Sequence, residues 1–477
     1  MSGATDRGGQ VALPLSLPAR EVAYLARGAV VRGDPEAVLC GVAIDSRAVS
    51  RGMLFVALRG SRTDGHRYVG DALRAGARGA LVSTDVPEAP EGSVLVRVED
   101  TLAAFQRLAR AIRDRMGLHV VGITGSVGKT TTKEMAASVA ARAYRTARSP
   151  ENWNTEIGVP LVLANLPRDR EVAVLELAMR GPGQIRELVE ICRPTVGVLT
   201  TVGHSHLDFF ESREELARAK GELLEGIGPG GVAIANADDP LARAQLSRSR
   251  GRHLTFGLRA GDVTAEDVRP RGLGGTTFRL RTPDGTAQVS LAVPGLHAVY
   301  NALAAAAVGT ALGMAPSEIA RGLEETRPLP MRLQVRRVRG VTVLDDTYNS
   351  SPQSVEAALD VLSGTSASPR IAVLGDMKEL GKHSVDAHRQ VGALAARSGV
   401  DLLIAYGPAS EETARAAREA GLRHVVHTTD LEEVVGLLRD AAVPGAVVLV
   451  KGSRVMAMER ILHGLGWAGD ESGGGGP

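Results

Sequence analysis

Short apolar runs, each closing on a polar or glycine-rich turn and followed by a segment of helical period, recur along almost the whole chain. Strands buried on both faces read as unbroken apolar runs, so this alternation predicts strand–helix repeats and an α/β fold. The plainest instance is Val120-Val121-Gly122-Ile123-Thr124, a strand, followed by the turn Gly125-Ser126-Val127-Gly128 and a helix opening near Lys129. Val172-Ala173-Val174-Leu175-Glu176 reads as a strand ending in a carboxylate, and Val196 to Thr201 as another whose loop carries His204, His206 and Asp208. From Gly261 to Leu291 the pattern alternates around Pro283-Asp284-Gly285, which predicts a β-hairpin elaboration. Pro294-Gly295-Leu296-His297 then opens a long alanine-rich helix.

A length of 477 residues suggests three domains of about 150 residues each. Residues 1–116 form a small α/β unit with a helix from Thr101 to Met116. Residues 117–327 form a central unit with a parallel sheet and a phosphate-binding loop. Arg327-Pro328-Leu329-Pro330 cannot continue a helix and marks the second boundary. Residues 328–468 form a second doubly wound, Rossmann-like unit, with strands at 341–344, 370–374, 402–405 and 446–450. Their end loops, Asp345-Asp346-Thr347-Tyr348-Asn349, Gly375 to Gly381 and Lys451-Gly452-Ser453, should line one crevice, since ligands bind at the carboxyl ends of such strands. Residues 469–477 are a glycine-rich tail, expected to be disordered.

Composition narrows the function classes. Aromatic residues make up only 3% of the chain, too few for the stacking platforms of single-strand nucleic-acid binding. With 56 basic against 54 acidic residues, no large field draws polyanions. The start of the chain lacks a cationic segment followed by an apolar block, and the apolar runs are too short to cross a bilayer, so a cytoplasmic protein is expected. Cys40 and Cys192 sit in apolar patterns and are expected as reduced, buried thiols. Only six of the basic residues are lysines: 129, 133, 220, 378, 382 and 451. A chain that writes nearly every positive charge as arginine keeps lysine where a compact charge or a neutral amine is needed. Lys133, Lys378 and Lys382 are expected on solvated faces.

The turn from Gly125 to Gly128 curls successive N–H groups inward at a helix N-terminus, a cradle for polyphosphate. Lys129 reaches the outer phosphates there, Thr130 presents a hydroxyl to Mg²⁺, and Glu176 is the metal-side acid.

Four motifs in order carry a family resemblance: Thr124-Gly125-Ser126-Val127-Gly128-Lys129-Thr130-Thr131, Glu151-Asn152-Trp153-Asn154-Thr155-Glu156-Ile157-Gly158, Asp345 to Pro352, and Gly375-Asp376-Met377-Lys378-Glu379-Leu380-Gly381. Together they resemble the Mur ligases over all three domains. The resemblance implies an ATP-dependent carboxylate–amine ligase of peptidoglycan precursor synthesis. It would join D-alanyl-D-alanine to UDP-N-acetylmuramoyl-tripeptide through an acyl phosphate, as a monomer without nucleic acid or membrane insertion.

The resemblance further implies two Mg²⁺ ions held by Thr130, Glu176, His206 and a carbamylated Lys220, with Lys129 on the β/γ-phosphates. His297 and Asn301 would stand on the adenine side, and Arg332 and Asp346 would close onto ATP from the C-terminal domain. Ser46, Arg47 and His66 match the uridine-diphosphate side in an N-terminal muropeptide-binding domain. Asn152, Asn154 and Thr155 match muropeptide contacts, and Tyr348 and Asn349 lie nearer the dipeptide. The chain departs from the family at Thr201-Val202, where an asparagine is common, and at Met331, where a glycine often precedes the hinge arginine. A sister ligase adding a single amino acid is the nearest alternative, although the chain has no Asn-Pro-Arg motif. A non-catalytic ATP-binding module is the alternative from another class.

Overall fold

The computed structural model describes Pro14 and residues 16–150, 152–203 and 207–468. His204, His206, Glu151, the first residues of the chain and the tail from 469 lie outside the described residues.

Three large sheets organise the molecule, beside a two-stranded antiparallel pair of Ser16–Pro18 with Val38–Cys40. The first has five strands in the order Ala29–Arg32, Val94–Arg97, Gly79–Val82, Leu54–Val56, Val42–Ala43, parallel except for the first. Its long helix, Thr101–Met116, opens on Asp100, whose carboxylate accepts from Ala103 N, and stops at Gly117 with φ +63°.

The second sheet has nine strands. Its parallel part runs Thr146–Arg148, Val172–Glu176, His119–Thr124, Val196–Leu199, Val232–Asn236, Arg252–Gly257 and Val263–Pro270. Thr276–Thr282 and Gly285–Leu291 extend it as an antiparallel meander. Helices Lys129–Ala140 and Leu296–Ala311 pack one face around Met135, Val139 and Ala302 to Val308, and helices Gln184–Cys192 and Arg213–Glu225 pack the other around Leu188, Leu216 and Leu223. Small alanines let the helix Leu296–Ala311 lie close against its neighbours, which is why almost every residue along it is buried.

The third sheet has six strands, ordered Gln334–Val338, Val341–Asp346, Val447–Lys451, Arg370–Gly375, Leu402–Tyr406, His424–Thr428, parallel except for the first. The two outermost strands are absent from the sequence reading. Each is mostly half-exposed, and its mixed pattern, Gln-Val-Arg-Arg-Val or His-Val-Val-His-Thr, lacks the unbroken apolar run of a central strand.

Cys192 is buried and its thiol is pushed up to about 12 by that burial, whereas Cys40 is only half-buried, contrary to expectation; both are free.

Candidate active site

The turn between His119–Thr124 and Lys129–Ala140 holds Gly125 at φ +149° and Gly128 at φ +84°. A Cβ on Gly125 would stand 1.9 Å from Thr200 Oγ1, and one on Gly128 2.4 Å from Asn301 Oδ1, so neither position accepts a side chain. The turn is clamped to the end of the neighbouring strand. Thr200 Oγ1 donates to Val127 O at 2.7 Å, Ser126 N to Thr201 O at 2.8 Å, and Gly203 N to Ser126 Oγ at 2.8 Å. The N–H groups that would meet phosphate are therefore fixed before any ligand arrives.

Two lysines converge on one carbonyl. Lys129 Nζ donates to Gly125 O at 2.8 Å, and Lys220 Nζ, from the helix Arg213–Glu225, reaches the same oxygen at 3.2 Å. Lys220 is only 2% exposed. Burial pushes its pKa well below the ordinary lysine range, and the Lys129 charge pushes the same way. Burial lowers Lys129 as well, opposed by the carboxylates of Glu176 and Glu379 and assisted by Arg332.

Glu176, 3% exposed, ends its strand with both oxygens engaged. Oε2 accepts from Thr130 Oγ1 at 2.7 Å and Oε1 from Asn154 Nδ2 at 2.9 Å. Hard oxygen donors of this kind suit Mg²⁺, which commonly takes one or two protein ligands and completes its shell with phosphate and water. Among the described residues there is no group of three His, Cys, Asp or Glu that could hold a metal ion. The Thr124 hydroxyl, buried beside this loop, finds no partner among the described residues.

The C-terminal domain supplies the opposite wall. Arg332 Nη2 donates to Thr130 Oγ1 at 2.9 Å, and its guanidinium lies 3.9 Å from the Tyr348 ring centroid. Asp346 Oδ2 accepts from Lys451 Nζ at 2.6 Å and Oδ1 from Leu333 N at 3.0 Å, while Lys451 also reaches Asn349 O at 2.8 Å. The two domains enclose a cleft of about 1060 Å³. Its wall includes Ser126 to Thr131, Asn152, Asn154, Thr155, Glu176, His297, Asn301, Arg332, Asp346, Tyr348 and Asn349. Asn301 Oδ1 accepts from Thr132 Oγ1 at 3.3 Å, next to the loop. Burial holds the His297 imidazole below its usual range, against the pull of Asp346. Asp238 closes the far end, accepting from the Tyr300 hydroxyl at 2.9 Å and from the N–H groups of Leu258, Arg259 and Ala260.

Some sequence-predicted residues stand elsewhere. Ser46, Arg47 and His66 lie in loops at the carboxyl ends of the first sheet and are not on the cleft wall. The His66 ring is already engaged, with Nδ1 2.6 Å from Asp64 Oδ1 and Nε2 accepting from Ser83 N at 2.9 Å, so it offers no free nitrogen to a ligand. Arg47 is forked onto Asp45, which that bond holds down at about 2. Lys133 corrects the expectation of a solvated face. It is fully buried, and its Nζ donates to Ser149 O at 2.7 Å. Lys378 pairs with Asp376 at 2.9 Å in a strand-end loop, and Lys382 is exposed in a turn. Lys451, buried against Asp346, was missed as a site residue, although the scarcity of lysine already marked it.

Comparison with known proteins covers most of the chain. The Mur ligase middle domain matches residues 123–309, the Mur ligase glutamate ligase domain residues 331–454, and the Mur ligase family catalytic domain residues 39–113. The UDP-N-acetylmuramoyl-tripeptide–D-alanyl-D-alanine ligase of Bacillus subtilis strain 168 is 34% identical over 94% of this chain and 97% of its own length. That of Escherichia coli K12 is 35% identical over 90% and 94%. The crystal structure of MurF from Acinetobacter baumannii superposes with a TM-score of 0.87 at 30% identity, covering 95% of this chain and 99% of that one. MurF from Thermotoga maritima in complex with ADP gives 0.80 at 30% identity, covering 90% and 97%.

Proposed function

The chain belongs to the Mur ligase family, and from that premise we propose that it joins D-alanyl-D-alanine to UDP-N-acetylmuramoyl-tripeptide, splitting ATP to ADP and phosphate. The observation that carries the reading is the convergence on one cleft of a rigid phosphate-binding turn, Lys129, Thr130 and Glu176 with Arg332, Asp346 and Lys451 from the next domain.

A carboxylate is a poor electrophile, so the tripeptide's terminal carboxylate first takes the γ-phosphoryl of ATP, and the dipeptide amine then displaces phosphate from the acyl phosphate. Negative charge accumulates on the transferring phosphoryl and again on the tetrahedral adduct, and fixed cations lower both barriers. Lys129 and the N–H groups of residues 125–130 hold the β/γ-phosphates, while Arg332 reaches the same place from across the cleft. Thr130 and Glu176 are the described residues that would hold Mg²⁺, which when bound neutralises phosphate charge. His206 belongs to the same proposed set and lies outside the described residues.

Lys220 is assigned as a carbamate. Only a neutral amine reacts with CO₂, and a buried lysine beside a second ammonium is the one most readily neutral. The N-terminal domain is assigned to the UDP-muropeptide, the central domain to ATP, and the C-terminal domain to the dipeptide. The reaction is placed in the cytoplasm and carried by a monomer; no helix among the described residues is long and apolar enough to cross a membrane. Purified protein incubated with ATP, D-alanyl-D-alanine and the UDP-tripeptide carrying either lysine or diaminopimelate tests the proposal by mass spectrometry. Absence of a pentapeptide product with both substrates overturns it.

A further inference from the structure

Of the buried lysines, Lys133 alone has no part in the chemistry above. Burying an ammonium is costly unless it is paired and hydrogen-bonded, and this one is both. Its Nζ donates to Ser149 O at 2.7 Å and lies 3.1 Å from Glu134 Oε1, while Glu134 Oε2 holds Arg148 Nε at 2.6 Å. The helix Lys129–Ala140 is thereby tied to the strand Thr146–Arg148 and to the residue that follows it.

What the tie reaches is the metal-side acid. Ser149 is fully buried; its N donates to Val174 O at 3.0 Å, and its Oγ accepts from Glu176 N at 3.2 Å. Further along the same segment, Asn154 holds the Glu176 carboxylate through Nδ2, and its carbonyl accepts from Ala178 N at 3.0 Å. One segment therefore brackets both the backbone and the carboxylate of Glu176, and Lys133 fastens that segment to the helix. The same helix opens on Lys129 and Thr130, and Thr130 Oγ1 donates to Glu176 Oε2 at 2.7 Å. The circuit is closed: Thr130, Glu176, Ser149, Lys133 and back along one turn of helix.

Such a circuit matters for magnesium. The ion demands near-ideal octahedral geometry, so the spacing of its protein oxygens has little tolerance. Groups that orient a metal's ligands govern its affinity although they never touch it. The residue type fits the place. A compact ammonium can serve one buried carbonyl, whereas the broad guanidinium fork that this chain otherwise prefers would need more room and more partners.

We propose that Lys133 is a positioning residue for the metal side of the active site: by fastening Ser149 to the helix of Thr130, it holds Glu176 in register with the threonine hydroxyl. This rests on the ligase reading, in which Thr130 and Glu176 would take Mg²⁺.

Mn²⁺, a paramagnetic stand-in for Mg²⁺, tests it on the full-length protein by electron spin resonance with a non-hydrolysable ATP analogue present. Lys133→Met, of similar length but without a donor, weakens Mn²⁺ binding by about tenfold or more and leaves metal-free binding of the analogue within about twofold. Equal losses in both, or a lower melting temperature with unchanged Mn²⁺ affinity, make Lys133 a merely structural residue and overturn the proposal. Ser149→Ala keeps the buried ammonium with its carbonyl partner and deletes only the bond to Glu176 N, so it decides the matter if Lys133→Met does not fold. A loss of Mn²⁺ affinity of about threefold is expected from it, and wild-type affinity overturns the route through Ser149. In a Glu176→Gln background the acid is already lost, so Lys133→Met changes the affinity by less than about twofold; a further tenfold loss means that it acts elsewhere. If Glu176→Gln alone keeps wild-type affinity, the metal reading of the site fails together with the proposal. If Glu176→Gln weakens Mn²⁺ binding while Lys133→Met and Ser149→Ala do not, only the positioning role fails.

Discussion

Lys220 and Lys129 share the Gly125 carbonyl, and that sharing gives Lys220 its predicted chemistry. Because its folded pKa is depressed, the unfolded chain binds this proton more tightly. The stability penalty is greatest at and below the depressed pKa and disappears as pH rises through the ordinary lysine value of about 10.4. Lys220→Met should therefore stabilise the protein at neutral pH in bicarbonate-free buffer and flatten this rise of melting temperature with pH; a lower melting temperature there contradicts the assignment. Lys220→Ala should lose activity by a factor on the order of 10² to 10³ and regain part of it with a short added carboxylic acid. Full activity without the acid removes the carbamate. At the turn itself, Gly128→Ala drives a methyl into the Asn301 amide, so ATP turnover should fall by roughly 100-fold or more, with a matching loss of nucleotide-induced thermal stabilisation. The placement of Lys129 and Thr130 at the start of a helix was legible because one strand, one turn and one helix set it locally, and Glu176 stood out as the carboxylate ending an apolar strand of its own. Lys133 was not legible, because its burial depends on the carbonyl of Ser149, which belongs to a different segment of the fold.

Between the central and C-terminal sheets the chain passes Pro328 to Leu333, and this connector carries strain on both sides of Arg332: Met331 at φ +59° and Leu333 at φ +50°. That backbone aims the arginine at Thr130 and stacks it on Tyr348. Met331→Gly should change stability by less than about 1 kcal/mol, since relief of strain offsets the entropy glycine adds to the unfolded chain. Met331→Val, with a branched β-carbon in the left-handed region, should cost about 1–2 kcal/mol in chemical denaturation. Equal effects from the two would remove strain as the cause. The family's common glycine at this position fits the same conformation. The outer strands of the third sheet illustrate the opposite limit. Their pairing partners and a single covered face make them strands, and their own half-polar patterns carried too little signal to show it.

Across the whole molecule, the proposed nucleotide site is split between two domains, with Lys129 and Glu176 on one and Asp346 and Lys451 on the other. Arg332 already spans the gap and holds the Thr130 hydroxyl that a metal ion would take. Binding of Mg²⁺ and nucleotide must release this contact, so the C-terminal domain should shift about residues 328–332. Small-angle scattering should register a change when an ATP analogue and the UDP-tripeptide are added together; superimposable curves count against the motion.

What the sequence determined by itself was local. The alternation of apolar runs and helical periods specified α/β units, the Pro-rich break separated two of them, and the glycine turn with Lys129 and Thr130 marked a candidate phosphate site, because each depends on neighbours a few residues away. Tertiary structure alone decided the rest: which lysines are buried, that the His66 ring is consumed by Asp64 and Ser83, and that Arg332 meets Thr130 across 202 positions of chain. Those outcomes depend on how separately folded sheets face one another, and packing between distant segments leaves no periodic trace in the residues that it brings together.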